Sequence, residues 1–150
     1  MSDQTLCWSG TTGQQADDLV DWTGATDSFE FVVSEAEQSG FAALSGDFNP
    51  LHLDPDFARA RGLAGSVVYG GLIVAKVSQV IGMRLPGPRG IWGSLKIDFR
   101  EPLYVGKTAC LSTEVSHFSV ATRSMSLKLL VTCEGHKIAT GTAMATLHAL

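Results

Sequence analysis

The spacing of apolar side chains divides the chain into two parts. Beyond position 94, apolar and polar residues alternate, as in Leu95, Ile97 and Phe99. A period of two predicts strands with one face in the core and the other in solvent. The alternating segments are residues 95–100, 111–115, 127–131 and 137–149, and Glu134-Gly135-His136 predicts a tight hairpin turn before the last of them. We therefore expect a four-stranded antiparallel meander in the second half.

The first half contains a segment with helical spacing. Residues 70–81, GGLIVAKVSQVI, are apolar around most of the helical circumference, which predicts a central helix buried on nearly every side. The β-branched side chains in this segment would also suit a strand, but its length and the lack of internal turn residues favour a helix. Residues 85–90, LPGPRG, then predict a turn.

Shorter elements precede the central helix. Residues 29–33, FEFVV, predict a first strand. Residues 34–37, SEAE, form a capping box for a helix that is expected to end near Leu44. The pair Asp54-Pro55 begins a second, short helix, which Gly62 closes.

The order of the elements predicts an α+β fold, in which an antiparallel sheet wraps around one central helix. The length of 150 residues fits one domain. Residues 1–27 are rich in Thr, Gly, Gln, Asp and Ser, and we interpret them as an extended N-terminal arm. Residues 28–150 are then expected to form the folded domain.

Composition and charge narrow the classes of partner. The net charge of -4 at pH 7 argues against nucleic acid, because binding to a polyanion calls for a basic surface. The sequence has neither an apolar run long enough to span a membrane nor a basic and then apolar leader. We therefore expect no membrane partner, and the cytoplasm is the expected location.

The cysteines and most histidines lack the spacing of a metal site. Cys7, Cys110 and Cys133 are far apart in the sequence, with no C-x-x-C pair, so we expect free thiols and no metal. The other three histidines outside residues 41–58 also lack ligand spacing. These residues, expected at the surface, are His117, His136 and His148.

The densest group of chemically active side chains lies in residues 41–58, FAALSGDFNPLHLDPDFA. Within this segment, Asp47, Asn49 and His52 form the pattern D-x-N-P-x-H. Because Asn49 precedes Pro50, the chain must turn between Asp47 and His52, and the turn can bring both side chains together. One interpretation is structural: Asp47 and Asn49 cap and turn the chain, and His52 is a partly buried, hydrogen-bonded histidine. The other is an acid/base pair that shares one water and hydrates a double bond.

Residues 41–58 resemble the hydratase 2 motif of the MaoC-like, (R)-specific enoyl-CoA hydratases. The likeness continues through V-V-Y-G-G-L at residues 67–72 and L-P-G-P-R-G at residues 85–90 to F-R-E-P-L-Y-V-G-K at residues 99–107, and it covers about residues 29–147. So long a motif has a low risk of a chance match. The resemblance implies a hot-dog fold, a homodimer and a thioester substrate.

The resemblance also implies roles for single residues. Asp47 and His52 match the catalytic pair that adds water, in syn fashion, to a trans-2-enoyl thioester and gives an (R)-3-hydroxyacyl thioester. Asn49 matches an orienting asparagine, and Gly70 matches the glycine whose backbone N–H receives the thioester oxygen. A helix N-terminus at Gly70 suits that task, because its free N–H groups and dipole favour developing negative charge. No cofactor is expected beyond the coenzyme A or phosphopantetheine of the substrate.

Two residues depart from the family pattern. Tyr69 stands where histidine is common, and Gly71 stands where a larger residue is often found. Tyr69 is either a packing substitution or a hydrogen-bond donor to the acyl chain or thioester. Gly71 would leave room in the substrate pocket. Both residues bear on the shape of the substrate more than on the reaction.

Three alternatives to an enoyl-CoA hydratase remain open. The first is a dehydratase of 3-hydroxyacyl groups on an acyl carrier protein, in fatty-acid or polyketide assembly. The second is a non-catalytic hot-dog module that binds acyl thioesters or dimerises with an active partner. The third is a thioesterase, which this Asp and His arrangement favours least.

Four arginines are interpreted as mostly solvated charges. Some of them could bind the phosphates of coenzyme A or of a carrier-protein phosphopantetheine arm. They are Arg59, Arg61, Arg84 and Arg89.

Overall fold

A computed structural model describes residues 20–148. The chain forms five strands and four helices over these residues. They are β1 (Thr26–Val32), α1 (Glu35–Ser45), α2 (Pro50–Leu53), α3 (Pro55–Arg59), α4 (Gly70–Met83), β2 (Gly90–Phe99), β3 (Thr108–Ser119), β4 (Ser124–Cys133) and β5 (His136–Leu147). Most of the predicted arm, residues 1–19, lies outside the described residues, and the boundary between arm and domain stays a prediction.

The strands form one antiparallel sheet in the order β1-β3-β4-β5-β2. The predicted α+β class, with an antiparallel sheet around a central helix, is confirmed. The hairpin between β4 and β5 is also confirmed: Cys133 pairs with His136, and Glu134 and Gly135 both have positive φ angles, of 50° and 84°. Two successive residues with positive φ define a type I′ turn, whose twist matches that of a hairpin.

The predicted four-stranded meander is wrong, because only β3, β4 and β5 follow one another in space. β2 pairs with β5 at the far edge of the sheet instead of with β3. The chain from β2 to β3, residues 100–107, therefore crosses the end of the sheet, where Val68 N–H donates to the Leu103 carbonyl at 2.7 Å. Alternation shows which side chains face the core, but it does not specify the partner strand.

The central helix α4 begins at the predicted residue and packs one face against the sheet. Ile73, Val77, Val80 and Ile81 are buried in a core that includes Leu111, Leu127 and Val131 of the strands. The other face of α4 is exposed at Gly71, Ala75, Ser78 and Gln79. The prediction that α4 is buried on nearly every side is therefore wrong for the single chain, in which the sheet covers one face.

Helix α1 has the predicted capping box and ends one residue beyond the predicted Leu44. The Ser34 hydroxyl accepts from Glu37 N–H at 3.2 Å, and Glu37 accepts from Ser34 N–H at 2.8 Å. This N–H of Ser34 is the main reason that the pKa of Glu37 is below its ordinary value. At the other end, the N–H of Gly46, which has a φ of 75°, donates to the Ala42 carbonyl. This is a left-handed C-cap, which glycine adopts without strain.

None of the helices within residues 20–148 has the length and apolar character needed to cross a membrane.

Candidate active site

The chain between α1 and α2 turns through side-chain hydrogen bonds. The Asp47 carboxylate accepts from Asn49 N–H at 3.1 Å. The Asn49 side-chain oxygen accepts from Leu51 N–H at 3.0 Å and caps α2, which carries His52. Both contacts agree with the interpretation that Asp47 and Asn49 cap and turn the chain. They also determine the positions of the Asp47 carboxylate and the His52 imidazole. The Asp47 side chain is exposed at this turn, and the catalytic role of Asp47 and the orienting role of Asn49 stay predictions.

The His52 ring is held by the backbone of Val67. Its Nδ1 lies 2.7 Å from the Val67 carbonyl oxygen, and His52 is half-buried. Because a carbonyl can only accept, Nδ1 carries the hydrogen in this contact. In a neutral ring with a protonated Nδ1, Nε2 has the free lone pair and can act as a base. The structure thus gives His52 the tautomer that acid/base chemistry at Nε2 requires.

Tyr69 contacts both members of the predicted pair. Its ring centroid lies 3.9 Å from that of His52, and its hydroxyl donates to the backbone carbonyl of Asp47. The ring is 2% exposed. Burial, followed by the negative charge of Asp47, raises the pKa of Tyr69, so the hydroxyl keeps the proton that it donates. The hydroxyl therefore makes a hydrogen bond to the protein backbone. The sequence analysis had considered only a packing role or a hydrogen bond to the substrate.

Gly70 is the first residue of α4, immediately after Tyr69. No side chain among residues 20–148 caps this helix, and the N–H of Gly70, at its first position, has no partner within the helix. A Cβ atom at Gly70 would lie 2.8 Å from the ring of Phe99, so a larger residue would push against that ring. Gly70 therefore presents an N–H at the positive end of the helix dipole, as an oxyanion donor must, and that role stays a prediction.

The space beside Gly71 is filled by the ring of Phe41. A Cβ atom at Gly71 would clash with Cζ of Phe41, and that ring packs against Tyr69 with centroids 5.0 Å apart. Glycine at this position thus admits Phe41 of α1. The space that the sequence analysis assigned to the substrate is therefore occupied by the Phe41 side chain. A role of Gly71 in the substrate pocket stays a prediction.

A cavity of about 440 Å³ brings His52 and Gly70 to one surface. Its other walls are mainly apolar, and they come from the segment before α4, from α4, and from the end of β2 with the chain that follows. These residues are Val67, Val68, Ile73, Phe99, Arg100, Glu101, Pro102 and Leu103. Apolar walls with a few convergent polar groups are typical of a site for a small acyl compound.

A second cavity, of about 560 Å³, lies on another side of His52 and includes Arg59 and Lys107. Arg59 pairs with Asp56 at 2.7 Å, and Lys107 pairs with Glu134 at 2.8 Å. The other arginines of the prediction do not line either cavity. Of the four arginines, Arg59 is therefore the one that lines a cavity beside His52.

The sequence analysis missed Gln38. This residue of α1 is 2% exposed, and its side chain bonds to the backbone of His52, Val67 and Tyr69. The available signal was a polar residue one helical turn before the buried Ala42, a position where an amphipathic helix normally has an apolar side chain.

The described histidines and cysteines outside the motif have the surroundings that the sequence predicted. The three histidines outside the motif, His117, His136 and His148, are exposed, as predicted. Cys110 and Cys133 are free thiols, as predicted, and burial raises the pKa of Cys133. Cys7 lies outside the described residues. Within residues 20–148 no group of three or more His, Cys, Asp or Glu side chains could hold a metal ion.

The model of the MaoC-like domain matches residues 23–134. This chain therefore belongs to the MaoC-like domain family, as the sequence motif predicted. The hot-dog fold is likewise confirmed, because the (R)-hydratase from Aeromonas caviae involved in PHA biosynthesis superposes with a TM-score of 0.80 at 31% identity, over 84% of this chain and 96% of that one.

Curated relatives have names that agree with the family. The (R)-specific enoyl-CoA hydratase of Aeromonas caviae is 41% identical over 81 residues, which are 54% of this chain and 60% of that protein. The (R)-specific enoyl-CoA hydratase of Rhodospirillum rubrum is 28% identical over 120 residues, which are 80% of this chain and 83% of that protein. The first of these matches thus spans less than two-thirds of the relative's length.

Proposed function

We propose that this protein is a lyase that reversibly hydrates trans-2-enoyl thioesters to (R)-3-hydroxyacyl thioesters. The observation that carries the proposal is the His52 ring, whose Nδ1 is bonded to Val67 and whose Nε2 is left for chemistry, on the wall of a cavity shared with Gly70. The names of the relatives from Aeromonas caviae and Rhodospirillum rubrum support the same reaction.

In this reaction Asp47 and His52 hold one water beside the double bond. The pair takes one proton from the water as the oxygen forms a bond to C3, and it delivers a proton to C2 from the same side, which gives syn addition. The electron pair of the double bond moves towards the thioester carbonyl, whose oxygen becomes enolate-like. The Gly70 N–H donates to that oxygen, and a donor placed in advance stabilises the charge as it develops.

The test is an activity screen of the intact chain on enoyl thioesters of increasing acyl length. We expect the conjugated absorbance to fall and an (R)-3-hydroxyacyl thioester to form. Release of free thiol instead would identify a thioesterase, and binding without turnover at every length would identify a non-catalytic module. Either result would overturn the proposal.

The carrier is proposed to be coenzyme A. The alternative is an acyl carrier protein. Some relatives are named 3-hydroxyacyl-[acyl-carrier-protein] dehydratase, such as the mitochondrial protein of Arabidopsis thaliana, which is 35% identical over 75 residues. The two share their chemistry, so turnover on the same acyl chain with each carrier distinguishes them. That no further cofactor is needed, and that the protein is cytoplasmic, stay predictions.

We also propose that the protein is a homodimer. β2 is an edge strand of the described sheet, and an edge strand can pair with a second chain. Its side chains Ile91 and Phe99 are 53% and 52% exposed, although both are large and apolar. Light scattering on the purified protein should give twice the mass of the chain. A mass of one chain at micromolar concentration would contradict the proposal.

A further inference from the structure

Gln38 has a buried amide group that is fully used. Its Nε2 donates to the carbonyl oxygens of His52 and Val67, both at 2.9 Å, and its Oε1 accepts from Tyr69 N–H at 3.1 Å. The contact with an N–H identifies the amide oxygen, because only the oxygen can accept. One side chain of α1 thus connects three backbone segments that are separate in the sequence.

One of these bonds reaches the His52 ring through the backbone. The Val67 carbonyl that accepts from Gln38 also accepts from Nδ1 of His52 at 2.7 Å. Gln38 therefore holds the acceptor that sets the tautomer of the ring, and it also holds the backbone carbonyl of His52 itself. Without the amide, both carbonyls lose a donor and the ring loses a fixed acceptor.

Tyr69 completes the arrangement on the side of Asp47. Its N–H is held by Gln38, its ring lies against the His52 ring, and its hydroxyl donates to the Asp47 carbonyl. Gln38 and Tyr69 are each 2% exposed, and neither lines the cavity that His52 and Gly70 share, although Gln38 lines the second cavity beside His52.

We propose that Gln38 and Tyr69 are positioning residues, which together hold Asp47 and His52 at the geometry needed to share one water. The inference rests on the hydration proposed above. Displacing a catalytic group by about 1 Å can cost about 10²-fold in rate, so loss of either contact is expected to reduce kcat. KM should change little, because neither side chain lines the cavity shared by His52 and Gly70.

The first variant is Tyr69→Phe, which removes only the hydroxyl. We expect kcat on an enoyl thioester to fall about 10-fold, with KM within about twofold, because the tether to Asp47 is lost. The matched control is Thr113→Val, which also removes a hydroxyl from a buried residue. Thr113 is 3% exposed, and its Oγ1 has no hydrogen-bond partner among residues 20–148, so kcat should not change.

The second variant is Gln38→Met, which keeps the side-chain length and removes all three hydrogen bonds. We expect kcat to fall about 10- to 100-fold. Nitrogen NMR at alkaline pH, where imidazole is neutral, should show His52 as the Nδ1–H tautomer in the unaltered protein and in Tyr69→Phe, and as a mixture in Gln38→Met. A purely structural role of Gln38 would leave the tautomer of folded protein unchanged.

The outcomes separate the two proposals. If the unaltered protein does not hydrate enoyl thioesters, the proposed function fails, and the His52 tautomer in Gln38→Met alone decides the role of Gln38. If it does hydrate them and both variants keep kcat within about twofold, the positioning proposal is overturned. A lower kcat in Gln38→Met with an unchanged tautomer overturns the role of Gln38. Should that variant not fold, Tyr69→Phe still tests the contact with Asp47.

Discussion

Replacing Asp47 with Asn should lower turnover on an enoyl thioester by about 10²- to 10⁴-fold and leave the protein folded. The amide has the shape of the carboxylate but cannot take up a proton from water. Its oxygen can still accept from Asn49 N–H, the bond that Asp47 makes at 3.1 Å, so the turn into α2 should survive. The expected loss therefore belongs to the chemistry and not to the fold.

Asp54→Asn is the matched control for Asp47→Asn. Asp54 lies in the same motif and caps α3 through N–H groups of Asp56 and Phe57, at 2.9 and 3.1 Å. Asparagine is an equally good N-cap, so this variant should hydrate at the unaltered rate. The measurement is the loss of conjugated absorbance, with circular dichroism to verify folding. Normal turnover by Asp47→Asn would exclude Asp47 as a member of the catalytic pair.

Local signals in the sequence predicted three of the four described helices, α1, α3 and α4, because each signal acts within a few residues. The capping box at Ser34 and the left-handed Gly46 determine where α1 begins and ends. The short helix α2 was not predicted, since its four residues are too few for a helical period. It begins at Pro50, which the sequence analysis used only as a turn residue.

The strand order could not be predicted in the same way. Alternation gave the strands of the second half but not the crossing that places β2 beside β5. The choice depends on contacts that are distant in the sequence, such as the pairing of Ile97 in β2 with Gly141 in β5. No turn residue encodes such a contact.

The same division holds for the candidate site. The pattern from Asp47 to His52 was visible because a proline and two short polar side chains control one turn. The supporting residues were not, since Gln38 meets its partners 14, 29 and 31 residues further along the chain. Tyr69 stood out in the sequence, but its bond to the Asp47 carbonyl, 22 residues away, follows only from the folded chain.

His52→Asn should also reduce turnover by about 10²- to 10⁴-fold. The amide nitrogen of asparagine lies near the position of Nδ1 and can continue to donate to the Val67 carbonyl, now 2.7 Å from the ring. Only Nε2 and the outer half of the ring are lost. The control is His117→Asn, in which an exposed histidine of β3 undergoes the same change and should retain full turnover.

The double variant Asp47→Asn/His52→Asn tests whether the two residues act on one water. Groups that work as a unit have strongly non-additive effects, because removing either one disables the other. We therefore expect the double variant to be about as slow as the slower single variant, within about threefold. If the two losses multiply instead, each residue contributes a separate step. The shared water would then be wrong even though both residues are catalytic.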